Sequence, residues 1–171
     1  MTTGIYLVLG SNLGDRRRNL SAAVARIADY ADVLSVGPVY ETAPFGEVEQ
    51  GNFLNTALSI ETDLAAKNLL KGMKEIEKRL GRVPSGRWGP RVIDIDIALF
   101  GDEIVETAEL TVPHPGLNKR DFFLRPILDI APELRDPASG ELLKDILAGI
   151  GPEDRTIIRK AKGREWQTIT T

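Results

Sequence analysis

Hydrophobic positions along this chain recur with two different periods, and the switches between them predict an order of elements. Ile5 to Leu9 is a short apolar run ending at Gly10, a strand, and the turn formers Ser11-Asn12-Leu13-Gly14-Asp15 follow it. Asp15 is placed to N-cap a helix from Arg16 to about Tyr30, in which Leu20, Ala23, Val24, Ile27 and Ala28 return at helical spacing. Val33 to Tyr40 alternates loosely and reads as a second strand, broken by Thr42-Ala43-Pro44-Phe45-Gly46 and a polar loop to Asn52. Phe53 to Thr62 alternates again as a third strand, with Leu54, Thr56, Leu58 and Ile60 on one face and Phe53, Asn55, Ala57 and Ser59 on the other. Thr62 or Asp63 is expected to cap a second helix running to Leu80, and Gly81 stands where a C′ glycine belongs.

A Pro/Gly-rich loop, Arg82 to Pro90, separates this helix from Val92-Ile93-Asp94-Ile95-Asp96-Ile97-Ala98-Leu99-Phe100, a fourth strand. Its alternation sets Ile93, Ile95, Ile97 and Leu99 on one face and Asp94 and Asp96 on the other. Beyond it the pattern weakens. Gly101-Asp102-Glu103 reads as a hairpin turn, Leu110 to Pro115 as extended, Lys119 to Leu124 as a short helical piece and Pro126 to Pro137 as irregular, with a turn of helix near Leu128 to Ile130. Leu142 to Ile150 reads as a last helix, and Thr156 to Arg159 and Glu165 to Thr171 as terminal strands. The order strand, helix, strand, strand, helix, strand is the α+β plan of a ferredoxin-like βαββαβ core: an antiparallel sheet with helices on one face and an open, loop-lined face opposite.

Length and composition narrow the chemistry. At 171 residues a single domain is expected, with its core at about 4–150 and a tail, 151–171, of unassigned role. The absence of cysteine removes disulfides, thiolate metal sites and cysteine nucleophiles, and the one histidine, His114, rules out a histidine metal cluster. No apolar run approaches a membrane span, and no basic and apolar leader opens the chain. A soluble, cytoplasmic protein without a membrane partner is expected. With 22 Lys+Arg against 25 Asp+Glu, no basic surplus is available to hold nucleic acid.

The candidate chemistry lies in the fourth strand. Two same-face carboxylates sit roughly 6 to 7 Å apart along a strand, and aspartate is a poor strand former. Such a pair suits Mg²⁺, which takes one or two carboxylates and fills its remaining positions with water and phosphate. Arg87 and Arg91 alongside suit phosphate oxygens. A short Asp-x-Asp is also compatible with a solvated strand face. Each phenylalanine can equally fill a core, His114 between two prolines can be a turn residue, and Arg16-Arg17-Arg18 reads as a solvated helix start. No P-loop is present.

Gly10-Ser11-Asn12-Leu13-Gly14, Tyr40-Glu41-Thr42 with Pro44 and Gly46, Phe53-Leu54-Asn55, Glu77 with Gly81-Arg82, Arg87-Trp88-Gly89-Pro90-Arg91 leading into Asp94-Ile95-Asp96, Pro113-His114-Pro115 and Arg120-Asp121-Phe122 together resemble the 6-hydroxymethyl-7,8-dihydropterin pyrophosphokinase family. The resemblance implies transfer of the diphosphate of ATP to the pterin hydroxymethyl group in folate biosynthesis, with AMP released. It implies ATP as co-substrate, two Mg²⁺ ions on Asp94 and Asp96, and a monomer whose partners are small molecules. By similarity Asp94, Asp96, Arg82 and Arg91 are catalytic, and Glu77, Arg82, Arg87, Trp88, Arg91, Ile97, Thr111, His114 and Arg120 bind ATP. Thr42, Ala43, Pro44, Phe45, Phe53, Asn55, Asp94 and Phe122 bind the pterin, with Phe53 and Phe122 stacking on its ring. The loop from Arg82 to Pro90 is expected to close as a lid.

Phe53 stands where some relatives have tyrosine, Pro84 where some carry a second loop arginine, and Glu109 where some have arginine. Loss of either aspartate is expected to abolish turnover while sparing the fold. The rival readings are a two-metal nuclease or nucleotidyltransferase and a ferredoxin-like RNA-binding module, the latter lacking the basic, glycine and aromatic pattern of such modules.

Overall fold

In the computed structural model, which describes residues 1–86 and 89–162, the six core elements appear in the expected order, with the second strand in two pieces. They are β1 (Thr2–Ser11), α1 (Arg16–Ile27), β2 (Asp32–Val36), β3 (Tyr40–Thr42), β4 (Phe53–Thr62), α2 (Ala66–Arg79) and β5 (Asp94–Phe100). A small hairpin, β6 (Val105–Glu106) and β7 (Thr111–Val112), follows, then α3 (Asp121–Ile130), α4 (Leu143–Gly149) and β8 (Ile157–Lys160). The main sheet has the order β5-β1-β4-β3-β8, with β2 also paired to β4, and among the described residues its pairings are antiparallel. Both central strands, β1 and β4, carry ten residues.

Alternation sorts the sheet into two faces. Ile5, Leu7, Leu9, Leu54, Leu58, Ile60, Ile93, Ile95 and Ile97 pack against Leu20, Val24 and Ile27 of α1 and Leu69, Met73 and Ile76 of α2. At about 1.5–3 kcal/mol for each large aliphatic side chain fully buried, this layer is the main source of stability. On the second face Tyr6, Val8, Ala57, Ala98 and Leu99 meet Phe123, Leu124, Ile127 and Leu128 of α3 and Leu143 at the start of α4. α3 and α4 thus cover part of the second face. The part left uncovered carries the polar residues Asn55, Asp94 and Asp96.

Several boundaries differ from those the sequence predicts, each for a local reason. β1 runs past Leu9 to Ser11, because Gly10 pairs with Asn55 on one side and Asp94 on the other. The second strand is interrupted at Gly37-Pro38. Gly37 N–H donates to Ala57 O at 2.8 Å, and a Cβ on Gly37 would lie 3.0 Å from Pro126 O and 3.2 Å from Ala57 O, so the chain there lies close against α3 and β4. In β5 the alternation fails after Ala98: Tyr6 pairs with Leu99 while Leu7 pairs with Ile97. This one-residue bulge turns Leu99 to the second face and Phe100 to the helices. Asp94 and Asp96 precede the bulge and keep their common face.

α2 is capped at Ala65 without a side-chain hydrogen bond. Thr62 Oγ1 is occupied otherwise, donating to Tyr30 O at 2.8 Å and accepting from Leu64 N at 3.2 Å. Gly81 has φ +95°, as a C′ glycine should. α3 runs unbroken through Pro126, where a break was expected. The proline removes one helical donor, and burial of Phe123, Leu124, Ile127 and Leu128 outweighs that loss. β8 matches the expected Thr156 to Arg159 strand, while the predicted Glu165 to Thr171 strand lies outside the described residues. Among the described residues no helix is long and apolar enough to cross a membrane.

Candidate active site

Three adjacent strands place Asn55, Gly10 and Asp94 in one row across the second face, since Gly10 is the partner of both other residues. With strands about 4.8 Å apart, Asn55 and Asp94 stand roughly 10 Å from each other across a residue with no side chain. A Cβ on Gly10 would lie 2.6 Å from Asn55 Oδ1 and 3.5 Å from the Phe53 ring. A side chain here would therefore push the Asn55 amide out of place. Above this row opens a cleft.

One wall of the cleft is neutral and aromatic. Buried Asn55 donates from Nδ2 to Thr42 Oγ1 at 2.6 Å, which fixes the amide and leaves Oδ1 beside Gly10. Phe53, Phe45 and Phe122 line the same space. The Phe45 and Phe122 rings are 6.4 Å apart and tilted by 53°, and the Arg120 guanidinium lies 5.0 Å from the Phe45 centroid and 5.8 Å from that of Phe122. A flat ring with donors and acceptors on its edge fits such a wall, which combines π faces with an oriented amide.

The opposite wall is charged. Asp94 accepts from Arg82 Nη1 and from Arg91 Nη1, each at 2.6 Å. Arg82 Nη1 also lies 2.7 Å from Glu77 Oε2. Glu77 is 3% exposed, accepts from Ile95 N at 2.7 Å and lies 3.1 Å from Lys74 Nζ, so it ties α2 to the start of β5. Burial pushes the Glu77 carboxyl up despite Lys74. At Asp94 burial acts in the same sense, yet Arg91 and Arg82 outweigh it and hold the carboxyl below its ordinary range.

Asp96 is different. Among the described residues only His114 comes within ion-pair reach of it, with Nε2 3.9 Å from Oδ1. Burial first, and then the charge of Asp94, push the Asp96 carboxyl up to about 7. His114 is held by its N–H to Ala98 O at 2.9 Å and stacks on Phe123 at 4.6 Å. Its Nδ1 accepts from Gly116 N at 2.9 Å. Burial, followed by the positive Arg120, pushes His114 down to about 4. The ring is therefore neutral near pH 7, with its proton on Nε2, facing Asp96. Two hard carboxylate donors facing one cleft, one of them lacking an arginine partner among the described residues, suit a hard divalent cation completed by phosphate oxygens and water.

Most of the predicted site residues converge. Thr42, Ala43, Phe45, Phe53, Asn55, Arg91, Asp94, Asp96, Arg120 and Phe122 line the cleft, and Arg82, Glu77 and His114 touch its carboxylates or the strand beneath. Pro44 adjoins the wall in sequence without lining it. Ile97 is not at the cleft: its side chain is 2% exposed in the layer under α1 and α2, because it follows Asp96 and points to the opposite face. Thr111 is exposed on the β6–β7 hairpin and does not line the cleft either. Arg87 and Trp88 lie outside the described residues. Pro84 is exposed, and Glu109 pairs with Lys67 at 3.1 Å on an exposed surface.

Sequence reasoning missed Gly10 as part of the floor, and it missed Asn12. Asn12 Nδ2 donates to Gln50 Oε1 at 2.8 Å and to Gly51 O at 3.0 Å, and its Oδ1 accepts from Arg91 N at 2.7 Å. One buried amide thus joins three loops around the cleft. The available signal was an asparagine in a turn cluster directly after the glycine of a strand.

A family model described as 7,8-dihydro-6-hydroxymethylpterin-pyrophosphokinase (HPPK) matches residues 6–132. The chain is 43% identical over 141 residues to the 2-amino-4-hydroxy-6-hydroxymethyldihydropteridine pyrophosphokinase of Aquifex aeolicus, covering 82% of this chain and 88% of that one. Against the Bacillus subtilis protein of the same name identity is 43% over 136 residues, covering 78% and 81%. In three dimensions it resembles a solved Plasmodium falciparum HPPK-DHPS chain with a TM-score of 0.69 at 14% identity, a likeness of fold. That match covers 86% of this chain and 43% of the longer one.

Proposed function

The chain belongs to the 7,8-dihydro-6-hydroxymethylpterin-pyrophosphokinase family, and on that premise we propose that it transfers the diphosphate of ATP to the hydroxymethyl group of 6-hydroxymethyl-7,8-dihydropterin, releasing AMP, in folate biosynthesis. The observation that carries this reading is the division of one cleft between the Asn55 amide with its aromatic neighbours and the Asp94–Asp96 pair with its arginines.

In this reading the pterin lies over Gly10, its edge reads the Asn55 amide, and Phe53 and Phe122 stack on its ring. Thr42 orients Asn55, while Ala43, Pro44 and Phe45 complete that wall. Asp94 and Asp96 would hold two Mg²⁺ ions, which would supply positive charge to neutralise the triphosphate. Arg82 and Arg91 exchange their hold on Asp94 for phosphate oxygens and spread the charge that builds up during transfer. Glu77 keeps Arg82 aligned. Arg87, Trp88 and Arg120 contribute to the nucleotide side, with the loop from Arg82 to Pro90 closing over it to exclude water. His114, neutral and with its Nε2–H toward Asp96, fixes the orientation of that carboxyl. The chain acts as one domain over 1–171 and as a cytoplasmic monomer.

The test is to incubate the protein with Mg²⁺, ATP and the hydroxymethyl pterin and to follow both substrates. AMP is expected to appear in step with pterin consumption, and chelation of the metal is expected to stop both. ADP as the nucleotide product, or no turnover, contradicts the reading.

A further inference from the structure

Thr156, far along the chain from the neutral wall of the cleft, ties two separate parts of that wall together. Its carbonyl accepts from Ala43 N at 2.9 Å, just beyond β3, where the chain enters the neutral wall. Its own N–H and Oγ1 donate to the Asp121 carboxylate, at 3.0 and 2.9 Å to the two oxygens and at 2.8 Å to Oδ1 respectively, and Ile157 N donates to Oδ2 at 3.0 Å. Asp121 opens α3 and stands between Arg120 and Phe122, which both line the cleft. Asp121 and Thr156 are 4% and 9% exposed.

From Thr156 the chain runs directly into β8, which pairs with β3 through Thr42↔Ile157, Glu41↔Arg159 and Tyr40↔Lys160. Arg159 Nε donates to Glu41 Oε2 at 2.7 Å, and Ala161 N donates to Val39 O at 2.7 Å. One short segment therefore closes the gap between two remote parts of the chain that face each other across the ring-binding side. It lies beyond the residues matched by the family model, which end at 132. Both oxygens of a buried carboxylate are committed to it.

We infer that Asp121 and the Thr156–Lys160 segment are positioning residues that set the spacing between the Thr42–Phe45 side and the Phe122 side of the neutral wall, and so the affinity for the flat bicyclic substrate. The inference rests on the proposed function. A purely structural anchor would weaken every ligand alike, whereas a spacer between these two sides weakens the pterin more than the nucleotide.

The experiment uses the full chain as wild type, Asp121→Asn and Thr156→Val. It measures binding of a non-hydrolysable ATP analogue with Mg²⁺, and then of the hydroxymethyl pterin with that analogue saturating. Asp121→Asn turns an NH₂ toward backbone N–H donors and is expected to raise the pterin Kd about 10-fold, against a rise of at most about threefold in the nucleotide Kd through the neighbouring Arg120. Thr156→Val removes only the hydroxyl donor, and about a threefold rise is expected. If Asp121→Asn does not fold, Thr156→Val decides alone. Unchanged pterin affinity in the folded variants overturns the inference, as does equal weakening of both ligands. A wild type that binds no pterin overturns the proposed function and the inference with it.

Discussion

The two walls of the cleft are built on opposite principles. On the neutral wall the polar groups are oriented before any ligand arrives: Asn55 is fixed by its bond to Thr42, Gly10 leaves the floor clear, and Thr156 ties the loop after β3 to the start of α3. On the charged wall the arginines are held by Asp94, a group that a cation would also claim. The first wall recognises by fixed shape, at little cost in ordering on binding. The second is a set of ion pairs whose partners can be exchanged. The two carboxylates of β5 divide the same way: Asp94 is balanced by two arginines, whereas Asp96 is left without such balance among the described residues.

The strongest way to break this contrast is to remove the carboxylates. Asp94→Ala and Asp96→Ala are each expected to lower turnover by on the order of 10³-fold, measured as AMP release. In stability of the free protein they should part company. Asp94→Asn removes the negative charge and one of the two oxygens that Arg82 and Arg91 use, turning an NH₂ toward a guanidinium, and is expected to cost up to about 3 kcal/mol in denaturant unfolding, the low end for such pairs because these side chains stay partly exposed.

Asp96→Asn should do the reverse at high pH. With its folded pKa near 7, above the 3.8 of the ordinary carboxyl, the folded state holds this proton more tightly. The stability this gives is present below pH 4 and is lost as pH rises through about 7. The variant is thus expected to exceed wild type by a few kcal/mol at pH 8 without metal, the gap closing toward pH 4, as unfolding midpoints across pH would record.

Next in size is Gly10→Ala, whose methyl meets Asn55 Oδ1. It is expected to weaken pterin binding about 10- to 100-fold in a titration while leaving the nucleotide affinity nearly unchanged. Asn12→Ala frees three loops at once and is expected to lower kcat/KM about tenfold, an effect shared between both walls. The smallest effect is that of Phe53→Tyr. Stacking survives the added hydroxyl, and kcat/KM should stay within about twofold.

A continuous apolar run made β1 legible from sequence and alternation made β4 and β5 so, and with them the faces that carry Asn55, Asp94 and Asp96. What escaped was set by long-range contact. The Gly37-Pro38 break depends on β4 and α3, and the unbroken run of α3 through Pro126 depends on the apolar layer it covers, so local propensity misread both. Ile97 was placed at the nucleotide by resemblance, but period-2 geometry next to Asp96 turns it into the core. The pairing of Asp94 with Arg82 was not legible either, because that arginine reaches it across a loop whose path the sequence does not encode locally. The role of the C-terminal segment was illegible for a similar reason: Asp121 and Thr156 are 35 residues apart and meet only in the folded chain.

The central claim is that a diphosphate, not a single phosphoryl group, moves from the charged wall to the ring held by the neutral one. ATP labelled at its β-phosphorus tests it most directly. With the hydroxymethyl pterin and Mg²⁺, all label lost from ATP is expected in the pterin product, with unlabelled AMP left behind. Label retained in a nucleotide product while the pterin is consumed would contradict the account.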